Sequence, residues 1–358
     1  MSVAVVRVPG AVGELDGALE RLLCLAGGME SIVHPGDTVL LKPNAVGPFP
    51  QAATDLRLLA ALVRTVRRCG GLPVIAESAG FEFDTAATFR VLGLERLAAQ
   101  LNVPLYNLDE GPFDLRHAPG YGALPVARIA LEADVLINVP KLKLHNLTGV
   151  TLGAKNLMGL LPRTARRKMH VRGIEMGIRG LAAAVPVSLT IVDALTVTPR
   201  AVFARPLPLG LLIAGCDMAA VDAACRGLLG FSASAVAWTC ELGAAPPQPL
   251  SGLRPRGGRL YRALFRAMYW VDIPFSRLSG GRSLIPWVHY YLGVRPAIDR
   301  QRCDGCGVCA NVCPVGALDP TNRRIDAARC MSLRCLRCRE ACPRGAIVLG
   351  GLRRPQEL

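Results

Sequence analysis

Cysteines are concentrated near the carboxyl end of this 358-residue chain. Eight of the 13 cysteines lie in one short segment, and the other five are scattered through the remainder. Clustered thiols predict a metal site in a reducing compartment, whereas isolated thiols are typical of ordinary core or surface residues. The clustered cysteines are Cys303, Cys306, Cys309, Cys313, Cys330, Cys335, Cys338 and Cys342.

The spacing of these cysteines is typical of iron–sulfur sites. The first four follow the pattern CxxCxxCxxxCP, in which one tight loop places three thiolates around a cubane and the fourth reaches a second cluster. The last four again end before a proline, and CPVGAL in the first set recurs as CPRGAI in the second. The pattern therefore predicts an internal repeat that binds two cubane clusters.

Zinc is the alternative occupant of such a thiol set. Thiolates also bind zinc in tetrahedral geometry, and two zinc ions would use all eight thiols. Zinc modules favour paired CxxC units. The two CxxCxxxCP units therefore favour iron over zinc.

Residues 296 to 350 resemble the bacterial-type ferredoxin domain, a small α+β domain that carries two 4Fe-4S clusters. The resemblance implies crossed ligation, in which each cluster takes one cysteine from the other motif. The sequence departs from the strict spacing by two extra residues after Cys330, with Ser332 where the family has cysteine. The resemblance assigns one cluster to Cys303, Cys306, Cys309 and Cys342, and the other to Cys313, Cys330, Cys335 and Cys338.

Arginine crowds the second cysteine motif. Reduction adds negative charge to a cluster, so nearby arginines should favour the reduced form. We therefore expect the second cluster to be the easier one to reduce. The arginines concerned are Arg334, Arg337, Arg339 and Arg344.

A second group of candidate residues lies in the segment DVLINVPKLKLHNLTGVTLGAKNLMGLLP. Lysines beside a helix N-terminus form a natural anion site, and Thr148 is placed to cap a helix that carries Lys155. A histidine in such a site can donate a proton near neutral pH. The segment therefore predicts Lys143, His145 and Lys155 as catalytic residues. In the alternative interpretation, Lys141 and Lys143 extend from a strand edge into water, and His145 is an ordinary loop residue.

Short apolar runs alternate with amphipathic stretches through the chain before the cysteines. The runs are VAVVRV, DTVLLKPN, LPVIAES, DVLINVPK, VSLTIVDA and LGLLIAG. This alternation predicts an α/β domain with a parallel sheet covered by helices, whose ligands bind beyond the carboxyl ends of the strands. Polar residues, including Glu77 and Ser78, follow several runs. The predicted substrate-binding residues are Lys42, Asn44, Lys141, Asn156 and Asp193.

Two aspartates in GCDMAAVDAAC have two interpretations. Asp217 and Asp222 could contribute to a metal or acid–base site, or could cap and solubilise the start of the following helix. Capping is favoured for Asp217, and both interpretations stay open for Asp222. The chain contains neither GxGxxG after a strand nor GxxxxGK[ST], so nucleotide binding by a glycine-rich loop is not predicted.

Positive charge is concentrated in the carboxyl-terminal part. The formal net charge is +15, and residues 251 to 358 contain 19 arginines and 7 acidic residues. Aromatic residues are interleaved in a basic connector, where Arg259, Arg262 and Arg266 have helical spacing. The connector is compatible with an amphipathic helix on an anionic membrane, or with a linker whose arginines face water. Nucleic acid is disfavoured as a partner because no binding module is recognised.

The order of several motifs resembles the domain-of-unknown-function 362 family, often fused to a ferredoxin domain. The motifs are GDTVLLKPNAV, ADVLINVPKLKLHNLTGVTLGAKNLMGLL followed by His170, LTIVDAL, and LLIAGCDMAAVDAACRGLLG. Met218 stands where the family usually has proline. The predicted organisation is an α/β domain over residues 1–245, a connector over 246–295, a ferredoxin-like domain over 296–350 and a tail over 351–358.

These features predict an iron–sulfur oxidoreductase. Electrons would pass from two 4Fe-4S clusters to an anionic substrate, or to a further anionic cofactor, in the α/β domain, and a redox partner protein is expected. The alternative is a non-enzymatic electron-transfer or assembly protein whose α/β domain docks another protein. The start of the chain lacks the features of a secretory signal, and the most apolar run is too short to span a bilayer. A cytoplasmic location is expected, with contact at the inner membrane face as an open alternative.

Overall fold

The computed structural model divides the chain into two compact units, one within residues 1–269 and one within 270–358. The predicted tail, Cys335 and all of the predicted connector except Arg295 lie outside the residues that the structure describes. The described residues are 3–9, 14–81, 83–145, 148–198, 206–231, 236, 238–239, 295–313, 316–326, 330 and 337–350.

The first unit contains eleven strands among its described residues. They are β1 (Ala4–Arg7), β2 (Thr38–Lys42), β3 (Leu72–Glu77), β4 (Leu105–Asn107), β5 (Phe113–Ala118), β6 (Gly122–Ala127), β7 (Val135–Asn138), β8 (Lys141–His145), β9 (Gly149–Thr151), β10 (Leu189–Thr198) and β11 (Leu207–Gly215). Nine of them form one sheet with the central order β1-β11-β10-β7-β2-β3-β4, and β8 joins β10 to β9. β5 and β6 form a separate antiparallel hairpin.

The α/β class predicted from the sequence is confirmed, but the sheet is mixed rather than wholly parallel. The five strands β4, β3, β2, β7 and β10 are parallel to one another. β11 is antiparallel to both β10 and β1. β11 is the next described element after β10, and strands that follow each other without a crossover pair antiparallel.

Nine helices accompany the sheet within the described part of the first unit. They are α1 (Glu14–Leu25), α2 (Leu56–Arg68), α3 (Thr85–Leu92), α4 (Leu94–Leu101), α5 (Arg128–Glu132), α6 (Gly153–Asn156), α7 (Arg163–Arg172), α8 (Ile174–Ala184) and α9 (Met218–Leu228). No helix in the described part of the chain is long and apolar enough to cross a membrane.

Helices cover both faces of the sheet because successive side chains of a strand point to opposite sides. Val39 and Leu41 of β2 belong to the core that also contains residues of α1, α2 and α4. Leu40, between them, belongs to the opposite core, formed with residues of α6 to α9. α2 begins after its N-cap Asp55, whose side chain accepts a hydrogen bond from Arg57 N at 2.9 Å. Its apolar stripe packs against the sheet.

The carboxyl ends of three parallel strands meet at one edge of the sheet. β2 ends at Lys42, which is in register with Asn138 at the end of β7, and β3 ends at Glu77. β8 begins just beyond β7, and its Lys141 is in register with Asp193 of β10. This topology brings residues far apart in the sequence to the edge where ligands bind in α/β sheets.

The second unit is a small α+β fold. Its elements are β12 (Arg295–Ile298), α10 (Val308–Asn311), β13 (Leu318–Asp319), β14 (Arg324–Ile325), α11 (Arg337–Glu340) and β15 (Ile347–Gly350). β12 and β15 pair antiparallel, so the first and last described strands of this unit lie side by side. Leu318, Cys338 and Ile347 form its apolar core.

Candidate functional site

Four cysteines of the second unit surround one cavity. Arg323 and Arg344 also line it, and Gly305 and Gly307 turn the chain around it with φ values of +78° and +74°, a region that favours glycine. Cys342 follows α11 and lies far along the chain from the other three, so both motifs contribute to the cavity. The four cysteines are Cys303, Cys306, Cys309 and Cys342.

The internal repeat is also present in the hydrogen bonds to sulfur. Ala317 N donates to Cys313 Sγ, and Ala346 N donates to Cys342 Sγ, both at 3.2 Å. Cys338 is buried in the same apolar cluster as Cys313 and Cys342. Hydrogen bonds to sulfur are one of the factors that set the potential of a cluster. The last cysteine of each motif therefore has an equivalent contact with the backbone.

The structure brings together only part of the second predicted cysteine set. Cys313 and Cys338 share an apolar cluster, Cys330 is partly buried, and Cys335 lies outside the described residues. In the part of the chain that the structure describes, no group of three or more His, Cys, Asp or Glu side chains is placed to hold a metal ion.

Arg344 lies beside the cavity of the first set, although it follows the second motif in sequence. Its Nε donates to Asp304 Oδ2 at 3.1 Å, and both side chains are exposed. Arg344 is therefore placed to act on the first predicted cluster, and its expected effect on the second cluster stays a prediction. Cys342 joins the first set and brings Arg344 with it.

Lys42 and Glu77 form a buried ion pair at the ends of β2 and β3. Lys42 Nζ donates to Glu77 Oε2 at 2.9 Å, and the two side chains are 0% and 2% exposed. Burial lowers the pKa of Lys42 and raises that of Glu77, while their contact opposes both shifts. Gly159 packs directly on the pair, since a Cβ there would collide with Glu77 Oε1. The charge of Lys42 is therefore neutralised within the fold.

Lys141 is neutralised in the same way by Asp193. Lys141 Nζ donates to Asp193 Oδ1 at 2.9 Å, and both side chains are buried. Asp193 also accepts from Asp55 N at 2.8 Å and from Leu195 N at 3.1 Å. The carboxylate thus ties β10 to β8 and to the start of α2, and its contacts are structural.

Lys143 lies at the centre of a buried polar network without a carboxylate. Its Nζ donates to Asn44 Oδ1 at 2.6 Å and to Ala52 O at 2.8 Å. Asn44 Nδ2 donates to Asn156 Oδ1 at 2.7 Å, and Asn156 Nδ2 donates to Asn138 Oδ1 at 2.8 Å. No carboxylate of the described residues forms an ion pair with Lys143, which is 4% exposed. Burial, and then Lys155, hold the pKa of Lys143 well below its ordinary value.

Lys155, His145 and His170 lie within electrostatic range of Lys143 or of one another. Burial, followed by the charge of Lys155, lowers the pKa of His145 well below its ordinary value and that of His170 to about 3. His145 is also affected by His170 and Lys143. The sequence-predicted catalytic residues Lys143, His145 and Lys155 are therefore neighbours in the structure.

A neighbouring network at the end of β3 contains Ser78, which the sequence had pointed to, and three residues that were not predicted from the sequence: Thr85, Asp109 and Arg166. The buried Arg166 of α7 contacts both Ser78 Oγ and Asp109, and Thr85 Oγ1 donates to Asp109 Oδ2 at 2.6 Å. His170 lies one turn after Arg166. The run TARRKMH could have indicated this face, because basic residues at helical spacing lie next to the predicted site.

Comparison with known families decides which protein class this arrangement belongs to. Residues 39–226 match the family described as a domain of unknown function, DUF362. The chain belongs to the DUF362 family. Residues 295–318 match a 4Fe-4S binding domain, so a ferredoxin-type iron–sulfur domain follows the DUF362 domain. Both features were predicted from the sequence, and both are confirmed.

One curated relative and two solved structures resemble this DUF362 protein. A thylakoid-associated protein of Synechocystis sp. is 31% identical over 222 residues, covering 59% of this chain and 68% of the relative. The lactate racemase apoprotein of Thermoanaerobacterium thermosaccharolyticum has a TM-score of 0.45 at 16% identity, covering 61% and 56% of the two chains. A Thermotoga maritima protein has a TM-score of 0.39 at 15% identity, covering 62% and 59%. The chain thus spans little more than half of each solved structure.

Asp222 of the DUF362 domain caps α6 from another part of the chain. Its Oδ1 accepts from Gly153 N at 2.7 Å and its Oδ2 from Ala154 N at 2.9 Å. It neither solubilises its own helix nor faces water, because it is buried. Thr148, the cap expected from the sequence, instead donates to Val150 O. Asp217 caps α9 through Ala219 N and Ala220 N, in agreement with the capping interpretation.

Asp222 is expected to make the folded protein less stable as pH rises. Burial raises its pKa from 3.8 to about 7, so between these values the folded state keeps a proton that the unfolded state releases. This contribution is complete below pH 3.8 and is lost as pH rises through about 7. Urea unfolding at several pH values across that range should show a slope that Asp222→Asn removes. If the free energy of unfolding changes with pH equally in the wild-type and Asp222→Asn proteins, another group causes the pH dependence.

A cleft in the DUF362 domain borders the buried network at Asn44. Its volume is about 270 Å³, and Asn44, Thr54 and Lys141 line its polar side, while Leu92 and Leu94 line an apolar side. Asn44 connects this cleft to Lys143. Pockets of this kind, with a few polar groups on an apolar wall, are typical of small-molecule sites.

Proposed function

We propose that this protein is an iron–sulfur oxidoreductase whose two 4Fe-4S clusters pass electrons to a small anion bound by the DUF362 domain. The observation that supports the proposal is the buried lysine Lys143, whose amine has no ion pair with a carboxylate among the described residues. Burial holds its pKa well below the ordinary value, so an anion bound beside the amine would favour its protonated form and be held by it. The 4Fe-4S binding domain of the same chain supplies the redox chemistry.

The spacing of the thiols in the ferredoxin-type domain favours 4Fe-4S clusters over zinc ions, because zinc modules use paired CxxC units. Four cysteines from the two motifs line one cavity, which supports crossed ligation of a cubane. A cubane, when bound, supplies one-electron transfer. We assign Cys303, Cys306, Cys309 and Cys342 to one cluster, and Cys313, Cys330, Cys335 and Cys338 to the other.

Within the DUF362 domain, we assign the positive charge of the site to Lys143 and Lys155. Lys42 and Lys141 are neutralised by carboxylates, so their role is to fix the strands that carry the site. Asn44 and Asn156 orient Lys143, and the side chain of Asp193 holds Lys141 in place. His145 presents a hydrogen-bond donor to the anion. The sequence predicted that all four lysines bind the ligand directly. The proposal limits direct binding to Lys143 and Lys155.

Changing Lys143 to Met should slow electron transfer without altering the clusters. A hydrogen bond to a charged group contributes about 1.5–3 kcal/mol, so we expect a loss of about tenfold or more. The anaerobically reconstituted protein is reduced with dithionite, and the low-mass fraction of a lysate of the source cells is added. Recovery of the visible absorbance of the clusters measures the rate of reoxidation.

The control for this experiment is Lys168→Met, since Lys168 is an exposed lysine on α7. It should reoxidise at the wild-type rate. Reoxidation by the protein fraction alone, at a rate unchanged by Lys143→Met, would refute the proposal and support the docking of a partner protein. The same assay therefore separates the two hypotheses raised by the sequence.

We propose a redox partner protein as the electron donor, and contact of a cytoplasmic protein with the inner face of an anionic membrane. The exposed Cys306 supports access by a protein donor. The relative from Synechocystis is described as thylakoid-associated, and the connector contains regularly spaced arginines. Nucleic acid is not proposed as a partner.

Changing Arg259, Arg262 and Arg266 together to Gln should weaken binding to vesicles that contain phosphatidylserine. Each arginine near an anionic surface contributes about 1 kcal/mol, so three should change the partition coefficient roughly a hundredfold. Salt should weaken binding of the wild-type protein, because screening acts over about 10 Å at 0.1 M. Vesicle sedimentation measures both effects. Equal binding to vesicles of neutral lipid would contradict the proposal.

A further inference from the structure

The two charged residues that line the cleft of the DUF362 domain, Lys141 and Asp55, both contact one further carboxylate. Asp193 Oδ1 accepts from Lys141 Nζ at 2.9 Å, and Asp193 Oδ2 accepts from Asp55 N at 2.8 Å. A positive and a negative side chain are therefore held close together at the wall of this cleft.

Lys141 has hydrogen-bonding capacity that the fold does not use. An ammonium group carries three hydrogens, and Asp193 is the only hydrogen-bond partner of Lys141 Nζ among the described residues. The ion pair thus neutralises the charge of Lys141 but leaves two hydrogens for another acceptor. The hydroxyl of Thr196, which also lines the cleft, forms no hydrogen bond with the part of the chain that the structure describes.

Asp55 is ionised and partly accessible. Burial raises its pKa, but the hydrogen bonds and charge of Arg57, with a contribution from the charge of Lys141, hold the pKa below its ordinary value overall. The side chains of Asp55 and Arg57 are 23% and 57% exposed, and an ion pair as exposed as this contributes little to stability. The carboxylate of Asp55 can therefore accept from a ligand without the loss of a buried contact.

The other wall of the cleft is apolar. Leu92 and Leu94 are buried there, and Leu56 is partly buried. The volume of about 270 Å³ lies just below the range of sites for drug-sized ligands. The cleft therefore suits a smaller molecule that has a polar end and a short aliphatic end.

We propose that this cleft binds a free α-amino acid with an apolar side chain. The carboxylate of the amino acid accepts from Lys141 Nζ and from the Thr196 hydroxyl, its ammonium group donates to Asp55, and its side chain packs against the leucines. The two charges of the amino acid cancel, as do those of each ion pair in the wall, so binding buries no net charge. The inference concerns this cleft alone and does not depend on the proposed electron transfer.

Calorimetric titration of the anaerobically reconstituted protein at about pH 7.5 tests the inference with leucine and three probes that each lack one of its features. 4-Methylpentanoate lacks the ammonium group, 3-methylbutylamine lacks the carboxylate, and alanine lacks most of the side chain. Leucine should bind about tenfold or more tightly than each probe, because a hydrogen bond to a charged group or a buried aliphatic group contributes that much. Equal affinity for leucine and any one probe, or no binding of leucine, would overturn the inference.

Two variants test the groups that recognise the amino acid. Asp55→Asn should weaken binding of leucine about tenfold or more without weakening that of 4-methylpentanoate, since asparagine also caps helices and only the contact with the ammonium group is lost. Thr196→Val should weaken binding of both ligands, because both carry the carboxylate.

The control is Asp84→Asn, which alters the N-cap of α3 outside the cleft and should change neither affinity. Equal weakening of both ligands by Asp55→Asn, or no weakening of leucine, would overturn the inference.

Failure of this inference and failure of the proposed function have different signatures. Absence of leucine binding would refute the inference and would leave the Lys143-dependent reoxidation of the clusters unaffected. Loss of that reoxidation would refute the proposed function, whatever the affinity for leucine.

Discussion

Changing Cys342 to Ser is expected to remove the same cluster as changing Cys303 to Ser. Both cysteines line one cavity, although they belong to different sequence motifs. Each variant should retain about four Fe and four sulfide per chain, compared with about eight of each in the wild-type protein. The two dithionite-reduced variants should also give the same electron paramagnetic resonance spectrum, because the same cluster remains in both.

Two further variants make this test specific. Cys338→Ser should leave the other cluster and so give a different spectrum, and Cys24→Ser should give the wild-type spectrum, since Cys24 is an exposed thiol of the first unit. If Cys342→Ser instead matches Cys338→Ser, each motif holds its own cluster and the crossed arrangement is wrong.

Changing Glu77 to Ala is expected to destabilise the DUF362 domain by about 3–5 kcal/mol, the cost of leaving a buried charge without its partner. Lys42 is completely buried, and its other hydrogen bond to protein is to Pro43 O at 3.3 Å. Urea unfolding followed by circular dichroism measures the change. The cooperative transition should move to lower urea concentration with an unchanged slope.

The control for Glu77→Ala is Asp16→Ala, which removes an exposed ion pair with Arg64. Exposed ion pairs contribute about 0.2–1 kcal/mol to the free energy of unfolding, so Asp16→Ala should lower it by no more than that. The double variant Lys42→Met with Glu77→Leu removes both buried charges and should recover most of the lost stability. A loss for Glu77→Ala as small as that for Asp16→Ala would show that water reaches Lys42.

The elements of the DUF362 domain were predictable from the sequence because buried parallel strands appear as apolar runs. DTVLLKPN and LPVIAES mark strands whose polar ends meet at one edge, and this places Lys42 and Glu77 near each other. The antiparallel direction of β11 was not predictable in this way. An apolar run has the same composition whichever way the strand points.

The roles of the lysines could not be read from their positions along the chain. Whether a lysine meets a ligand or a carboxylate depends on which strands are neighbours, and Lys42 and Lys141 face carboxylates on adjacent strands. The cap of α6 was missed for the same reason. Thr148 was the local candidate, but Asp222 reaches Gly153 from α9.

Cysteine spacing, in contrast, predicted most of the candidate cluster site of the second unit. Three of the four thiols in the first set are fixed by one tight loop, so local sequence determines their placement. The fourth, Cys342, was assigned by resemblance to the ferredoxin domain, and the structure places it at the same cavity.

The metal and sulfide content of the anaerobically reconstituted protein shows whether this DUF362 protein carries two 4Fe-4S clusters. Two cubanes require about eight Fe and eight acid-labile sulfide per chain, with a visible absorbance that dithionite bleaches. About two zinc ions and no sulfide per chain would contradict this assignment, because thiolates then bind single ions and no electron transfer follows.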